Sequence, residues 1–353
     1  MVDGELAAGS GQRFRNAYTE EEKAMKRGIV LWAVVAVVFL LCAAGPVQAQ
    51  QPIVIKLGNV QATTDIVQTG LKKFADLVGE RTKGQVQVQI FPASQLGTEQ
   101  ELLEGVQLGT VHMFEGSAGS VGRFLPDLEA FAAPYVWRDV DHMMKTVRGP
   151  VGQGLAERLV KAKGMRVLDF GWLFGNRYLT TKNKAINKPE DLKGMKIRVQ
   201  PTAIYLETIK AMGANPTTMD FKEVYLGLQS GVIDGQENPP FVIYNNKFFE
   251  VQKFLMLTAH ITQNQAVVIN DKFFQGLSPE HRKILTEAAY EAGDFQNKLI
   301  LDSEKEGLDK LKSVGMTVVQ PDVKAFREAT KDVWKKVSEK WEPGLYEKIQ
   351  AVK

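Results

Sequence analysis

From about residue 52 onward, period-2 alternation of apolar and polar positions gives way repeatedly to apolar stripes of helical spacing. Pro52–Val60 (PIVIKLGNV) reads as a buried strand, and Gln85–Phe91 (QVQVQIF) alternates strictly. Between them, residues 65–84 place Leu71, Phe74, Leu77 and Val78 on one face of a helix, with Asp65 at its N-cap. Gly97–Gly109 predicts a second helix, with Thr98 as cap and Gly109 as stop, and residues 111–116 a third strand. This β-α-β-α-β order is the start of a doubly wound α/β sheet.

Residues 151–163 predict a helix and residues 165–172 a strand. The pattern then restarts with NRYLTT, a turn, MKIRV, a helix over 202–213, a strand NPTTM and a helix over 221–231. A strand over 265–270 comes next, then a mostly helical stretch over 278–315, capped by Ser278 with Pro279 in its first position. MTVVQP predicts a last strand and residues 322–340 a last helix. There is no internal repeat and no low-complexity linker. Two α/β units without a linker predict domains joined by crossing strands, with a ligand cleft at the carboxyl ends of the strands. The expected boundaries are 50–173 plus about 265–305 for one domain, and 174–264 plus about 306–353 for the other.

The first 49 residues follow a different pattern. Basic MKRG (Met25–Gly28) precedes the apolar run Ile29–Ala44, and VQAQ follows. This is the layout of a secretory signal peptide, with Val47 and Ala49 at the positions a peptidase reads and cleavage expected after Ala49. The run is short for a membrane span, the rival reading being an uncleaved anchor. Residues 1–24 are polar and precede a complete signal, so Met25 is the expected start. The single cysteine, Cys42, lies in the leader, which leaves an exported chain without thiols, as suits an oxidising compartment. Composition adds little: 44% hydrophobic, 24% charged and a net charge of +3 are ordinary globular values. So small a charge, without basic runs interleaved with aromatics, argues against nucleic-acid binding.

Candidate chemistry is sparse. His112, His142, His260 and His281 lie far apart, with no HExxH or CxxC, so no metal site is expected. GSAGSVG (Gly116–Gly122) is neither a Walker A, nor a dinucleotide fingerprint, nor a nucleophile elbow. His260 reads as a structural histidine. A carboxylate pair such as Glu99 with Glu237 leaves a glycosidase open on spacing alone. Three polar groups stand near strand or turn ends: Arg177 in GNRYLTT, Arg198 in KIRVQP and Asn238 in DGQENPP. Guanidinium is a planar, permanently charged fork that matches a carboxylate with two parallel hydrogen bonds.

In order along the chain, FPASQLGTEQELLEGVQLG, FAAPYVW, NRYLTTKNKAINKPEDLKGMKIRVQP, GANPTTMDFKEVYLGLQSGVIDGQENPP and KFFEVQKFLMLTAH resemble the DctP-type solute-binding proteins of TRAP transporters (tripartite ATP-independent periplasmic transporters). The resemblance covers residues 50–353 and implies a periplasmic binding protein-like fold of two α/β domains closing on a ligand. It implies a binding protein, not an enzyme, with no cofactor. Arg198 would form the bidentate salt bridge to an organic-acid carboxylate, Arg177 would give a second contact or orient it, and Asn238 would hydrogen-bond it. Phe221 would line the pocket, and Glu99, with Gln95, would read the far end of the ligand. Sialate-binding members carry charged residues where this chain has Ser117 and Ser120, which favours a smaller hydroxylated acid, an aldonate or uronate. A C4-dicarboxylate would want a second cation, for which Arg123 is the remaining candidate. Trp172 and Phe241 would either stack on a sugar-like face or pack in the core. The implied partners are the ligand and the membrane permease, the protein acting as a monomer in the periplasm. A related reading has the same fold presenting its ligand to a sensor.

Overall fold

The structure is a computed structural model that describes residues 22–33 and 51–353. Residues 22–33 are helical, with Lys26 Nζ 2.8 Å from Glu22. The rest of the apolar run expected for the leader, and the cleavage point after Ala49, lie outside the described residues. Among the described residues no helix is long and apolar enough to cross a membrane.

Pro52–Lys353 forms one compact unit around a single nine-stranded sheet. Its strands are β1 (Ile53–Gly58), β2 (Val86–Phe91), β3 (Met113–Ser117), β4 (Met165–Thr181), β5 (Lys196–Val199), β6 (Asn215–Thr218), β7 (Gly235–Asn238), β8 (Phe254–Asn270) and β9 (Thr317–Val319). The order is β2-β1-β3-β8-β4-β7-β5-β6, with β9 beside β8. One half of the sheet carries the parallel trio β2, β1 and β3, and the other the parallel trio β7, β5 and β6. The 17-residue strands β4 and β8 run antiparallel to each other through both halves. β3 pairs with the 265–269 end of β8, while β7 pairs with the 178–181 end of β4.

The continuity of β4 and β8 is the main departure from the sequence expectation, which breaks β4 after Trp172 and begins β8 at Gln265. Gly175 and Asn176 look locally like a turn. Pairing with β8 instead carries the strand through a series of bulges, and Gly175 takes φ +109° at one of them, a conformation that favours glycine. The helix expected over 322–340 is likewise broken, into Val323–Thr330, Val333–Val337 and a 3-10 turn Ser338–Lys340.

Local signals hold elsewhere. Helix Glu99–Leu108 starts at Thr98 with a full capping box to Glu101 and ends at Gly109 in the left-handed region. Helix Ile66–Arg81 starts after Asp65, but that carboxylate does not cap it. It accepts instead from Ala62 N (3.2 Å) and Asn245 Nδ2 (2.6 Å). The 35-residue helix Pro279–Ser313 lies along β4 and helix Ile66–Arg81. Small residues allow the approach: a Cβ on Gly70 would stand 2.3 Å from Gln296 Oε1. Ser278 Oγ accepts from His281 N at 3.1 Å and caps the long helix. Ser278→Ala is expected to lower stability by about 1 kcal/mol, read as a lower urea midpoint with unchanged slope.

Candidate functional site

The parallel strands of both halves end on a common cavity. Its lining comes from the turn after β1 (Val60 and Gln61), the end of β3 (Ser117), the end of β5 (Arg198 and Gln200) and the end of β7 (Asn238). The crossing strands add Phe174, Arg177 and Gln263, Glu99 comes from the first turn of its helix, and Phe221 from a 3-10 turn. The cavity and its mouth together span about 320 Å³ of atom-free space, part of it open to solvent. Carboxyl ends of strands converge there because each parallel strand hands over to a loop or helix at that edge of the sheet.

Arg198 is 2% exposed. Its Nε donates to Met219 O at 2.9 Å, and its guanidinium lies 5.7 Å from the centre of the Phe221 ring. Nη1 and Nη2 have no hydrogen-bond partner among the described residues and belong to the cavity wall. Burial pulls the guanidinium down to about 10, despite the neighbouring Glu237 carboxylate. A cation held so far from water, with its fork free, is disposed to pair with an anion.

Arg177 also lines the cavity, but most of its donors are already engaged. Nε donates to Glu237 Oε2, Nη2 to Glu237 Oε1 (2.7 Å) and to Glu237 O (2.5 Å), and Nη1 to Gln263 Oε1 (2.5 Å). Of five N–H donors, one on Nη1 remains. Glu237 is fully buried; burial works against its ionisation, and the Arg177 guanidinium outweighs that, bringing the carboxyl down to about 2. His260 Nε2 stands 3.3 Å from Glu237 Oε2, while its Nδ1 is 2.9 Å from Thr258 Oγ1. Glu237 is therefore the counter-ion of Arg177, and the carboxylate pair considered for a glycosidase, Glu99 with Glu237, is not arranged as two free acids.

Asn238 is 3% exposed and gives one amide hydrogen to Gln236 Oε1 at 2.6 Å, leaving its second N–H and its Oδ1. Glu99 is half-buried; burial pushes its carboxyl up, against the opposing pull of Arg123, Ser120 and Arg198. Ser120 Oγ lies 2.9 Å from Glu99 Oε2 and 2.8 Å from Gln200 Oε1. Ser117 Oγ lies 3.5 Å from Tyr205 OH. Thus Arg198, Arg177, Asn238, Phe221, Glu99 and Ser117, scattered over some 140 residues of sequence, come together at one cavity.

Three of the expected residues stand elsewhere. Gln95 is exposed in the turn after β2 and does not line the cavity. Trp172 is fully buried under the long helix, its Nε1 donating to Ala289 O at 3.0 Å, so it cannot stack on a ligand. Phe241 packs edge to face on Phe174 with ring centres 5.2 Å apart, and Phe174 is the ring that reaches the cavity. Gln61, Gln200 and Gln263 line the cavity as well, with no motif in the sequence to single them out. A polar residue just past a strand end, as at Gln200 directly after KIRV, is the one local signal available for them.

Comparison with known proteins agrees with this architecture. The family model for bacterial extracellular solute-binding protein, family 7 (DctP) matches residues 57–340. The chain is 40% identical over 276 residues to the 2,3-diketo-L-gulonate-binding periplasmic protein YiaO of Escherichia coli, covering 78% of this chain and 84% of that protein. It is 35% identical over 289 residues to the C4-dicarboxylate-binding periplasmic protein DctP of Rhodobacter capsulatus, covering 82% and 86%. The crystal structure of a TRAP periplasmic solute-binding protein of Actinobacillus succinogenes with bound L-galactonate superposes with a TM-score of 0.81 at 35% identity, covering 84% of this chain and 98% of that one. A family of solute-binding proteins rather than of enzymes accounts for a buried, charged cavity that lacks a nucleophile–base pair. The chain belongs to family 7 of the bacterial extracellular solute-binding proteins, the DctP-type solute-binding proteins of TRAP transporters.

Proposed function

We propose that this protein captures an organic acid, a sugar acid such as an aldonate or uronate in the first instance, in the periplasm and delivers it to a TRAP permease. The observation that carries this reading is Arg198: a guanidinium 2% exposed, with both terminal nitrogens unpartnered, on the wall of the cavity. A carboxylate there would gain two parallel charge-assisted bonds, with the remaining N–H of Arg177 and the Asn238 amide as further donors. Those extra donors matter because both charges lose water on binding. The rest of the wall, with Gln61, Ser117, Gln200, Gln263 and Glu99, offers hydrogen-bonding groups suited to hydroxyls. The names of the Escherichia coli relative and of the Actinobacillus structure, a diketogulonate and a galactonate binder, support the same class.

On this reading the two halves of the sheet are domains I and II, with boundaries at 50–173 plus about 265–305 and at 174–264 plus about 306–353. They close about β4 and β8, and the protein works as a monomer released from its leader after Ala49. The test is a thermal-shift screen of protein stripped of ligand by unfolding and refolding, against aldonates, uronates, aldarates, C4-dicarboxylates, sialate and 2-keto acids. A ligand at about 100 times its Kd is expected to add roughly 2.7 kcal/mol. One class of acid producing such a shift, unchanged on recovery from the complex, supports the reading. The absence of a shift from every carboxylate overturns it.

A further inference from the structure

Next to the Arg198 cavity lies a second, of about 300 Å³ of atom-free space, which shares Val60, Glu99, Arg198 and Phe221 with the first and adds Arg123 and Lys222 to the wall. Arg123 follows the short helix Ala118–Val121 that leaves β3. Two contacts hold its fork in place: Nε donates to Pro201 O at 3.2 Å, and Nη1 to Gln100 Oε1 at 3.4 Å. Its Nη2 is buried and has no hydrogen-bond partner among the described residues. A buried guanidinium nitrogen without a partner carries a desolvation cost that a bound anion would remove.

The acids on this wall do not use that nitrogen. Glu99 is held by Ser120, and Asp220 is the other carboxylate of the lining. Three cations, Arg123, Arg198 and Lys222, face these two acids. Burial also pushes the Glu99 carboxyl up, which lessens its repulsion of an incoming anion. A ligand hydroxyl would accept one N–H from Arg123 but bring no charge, whereas a carboxylate brings both an acceptor and a counter-charge beyond that of Glu99.

We infer that Arg123 forms a second anion subsite, so that the preferred ligand is a hydroxylated diacid with one carboxylate on Arg198 and the other on Arg123. This inference rests on the Arg198 reading above and narrows it from sugar acids in general to those oxidised at both ends.

The test is titration calorimetry with matched pairs of equal carbon number: glucarate against gluconate, and galactarate against galactonate. Wild-type protein is expected to bind one aldarate at least about tenfold more tightly than its aldonate, the scale of one hydrogen bond to a charged group. Arg123→Gln is expected to erase that difference by weakening the aldarate alone. Retained aldonate binding then shows that the variant is folded and that the Arg198 end is intact. Aldonates binding as well as or better than their aldarates, or Arg123→Gln weakening both alike, overturns the second subsite and leaves the Arg198 reading standing. If none of the four acids binds while another monocarboxylate does, the subsite again falls alone. If no carboxylate of any kind binds, both fall together.

Discussion

Arg198→Ala is expected to weaken binding of the acid that stabilises the wild-type protein by about 2–5 kcal/mol, a loss of roughly thirtyfold to several thousandfold in Kd. The size follows from the environment. The guanidinium is 2% exposed, is fixed by one bond from Nε to Met219 O, and turns both terminal nitrogens to the cavity. Truncation removes the fork and leaves the ligand carboxylate buried with fewer partners, since Arg177 has a single N–H to spare. Arg198→Lys is expected to fall between the two, because an ammonium keeps the charge but cannot make two parallel bonds in the plane of a carboxylate. Calorimetric titration of the three proteins measures this directly. Wild-type affinity in Arg198→Ala would show that the acid binds elsewhere; full affinity in Arg198→Lys would show that charge alone, without the fork, suffices.

The second large effect is on stability rather than affinity. Glu237→Ala is expected to cost about 3–5 kcal/mol, because it strands the Arg177 cation where neither residue has any exposure to water. Removing both charges, as in Arg177→Met with Glu237→Leu, is expected to recover much of that loss, since a well-packed apolar pair avoids the desolvation of two ions. Denaturant titration of the single and double variants forms a mutant cycle. A single variant as stable as wild type would mean that water or a rearranged side chain reaches Arg177.

The pair also fixes a pH dependence. The Glu237 carboxyl is lowered from its ordinary 4.5 to about 2, burial opposing and Arg177 prevailing. The folded state therefore binds that proton less readily than the unfolded chain. Its contribution to stability is complete above about pH 4.5 and disappears as pH falls from there toward 2. Stability measured across this window is expected to decline more gently in the Arg177→Met, Glu237→Leu double variant than in wild type. Equal slopes would remove Glu237 from the account of acid unfolding.

Much of the fold is legible because its signals are local. The strict alternation of QVQVQIF, the Thr98 capping box, Gly109 in the left-handed region and the Ser278 cap each act within one turn of chain, and each falls where the sequence places it. The same holds for Arg198: a strand that ends beside a parallel neighbour presents its last residues at the carboxyl edge of the sheet, so the pattern that predicts the strand also places the side chain, whereas the strand that carries Asn238, β7, has no such pattern in DGQENPP. What the sequence by itself determined is thus most of the elements, their order, and which polar groups stand near their ends, but not the short strand β7, the full length of β4 and β8 or the breaks in the last helix.

The tertiary structure decided how those groups are used. Arg177 and Glu237 are 60 residues apart, and only the pairing of β4 with β7 makes one the counter-ion of the other. Trp172, Phe174 and Phe241 are alike as apolar aromatics in sequence. The packing of the long helix sends Trp172 to Ala289, and the Phe241 ring backs Phe174, leaving Phe174 alone to face the cavity. Arg123 gains its place through Pro201, 78 residues away. Periodicity reports which face of an element is apolar, but not which distant partner that face or a given donor will meet. That partner is set by strand register and helix packing between segments far apart in the chain, and it separates an arginine already neutralised from one still able to take up an anion.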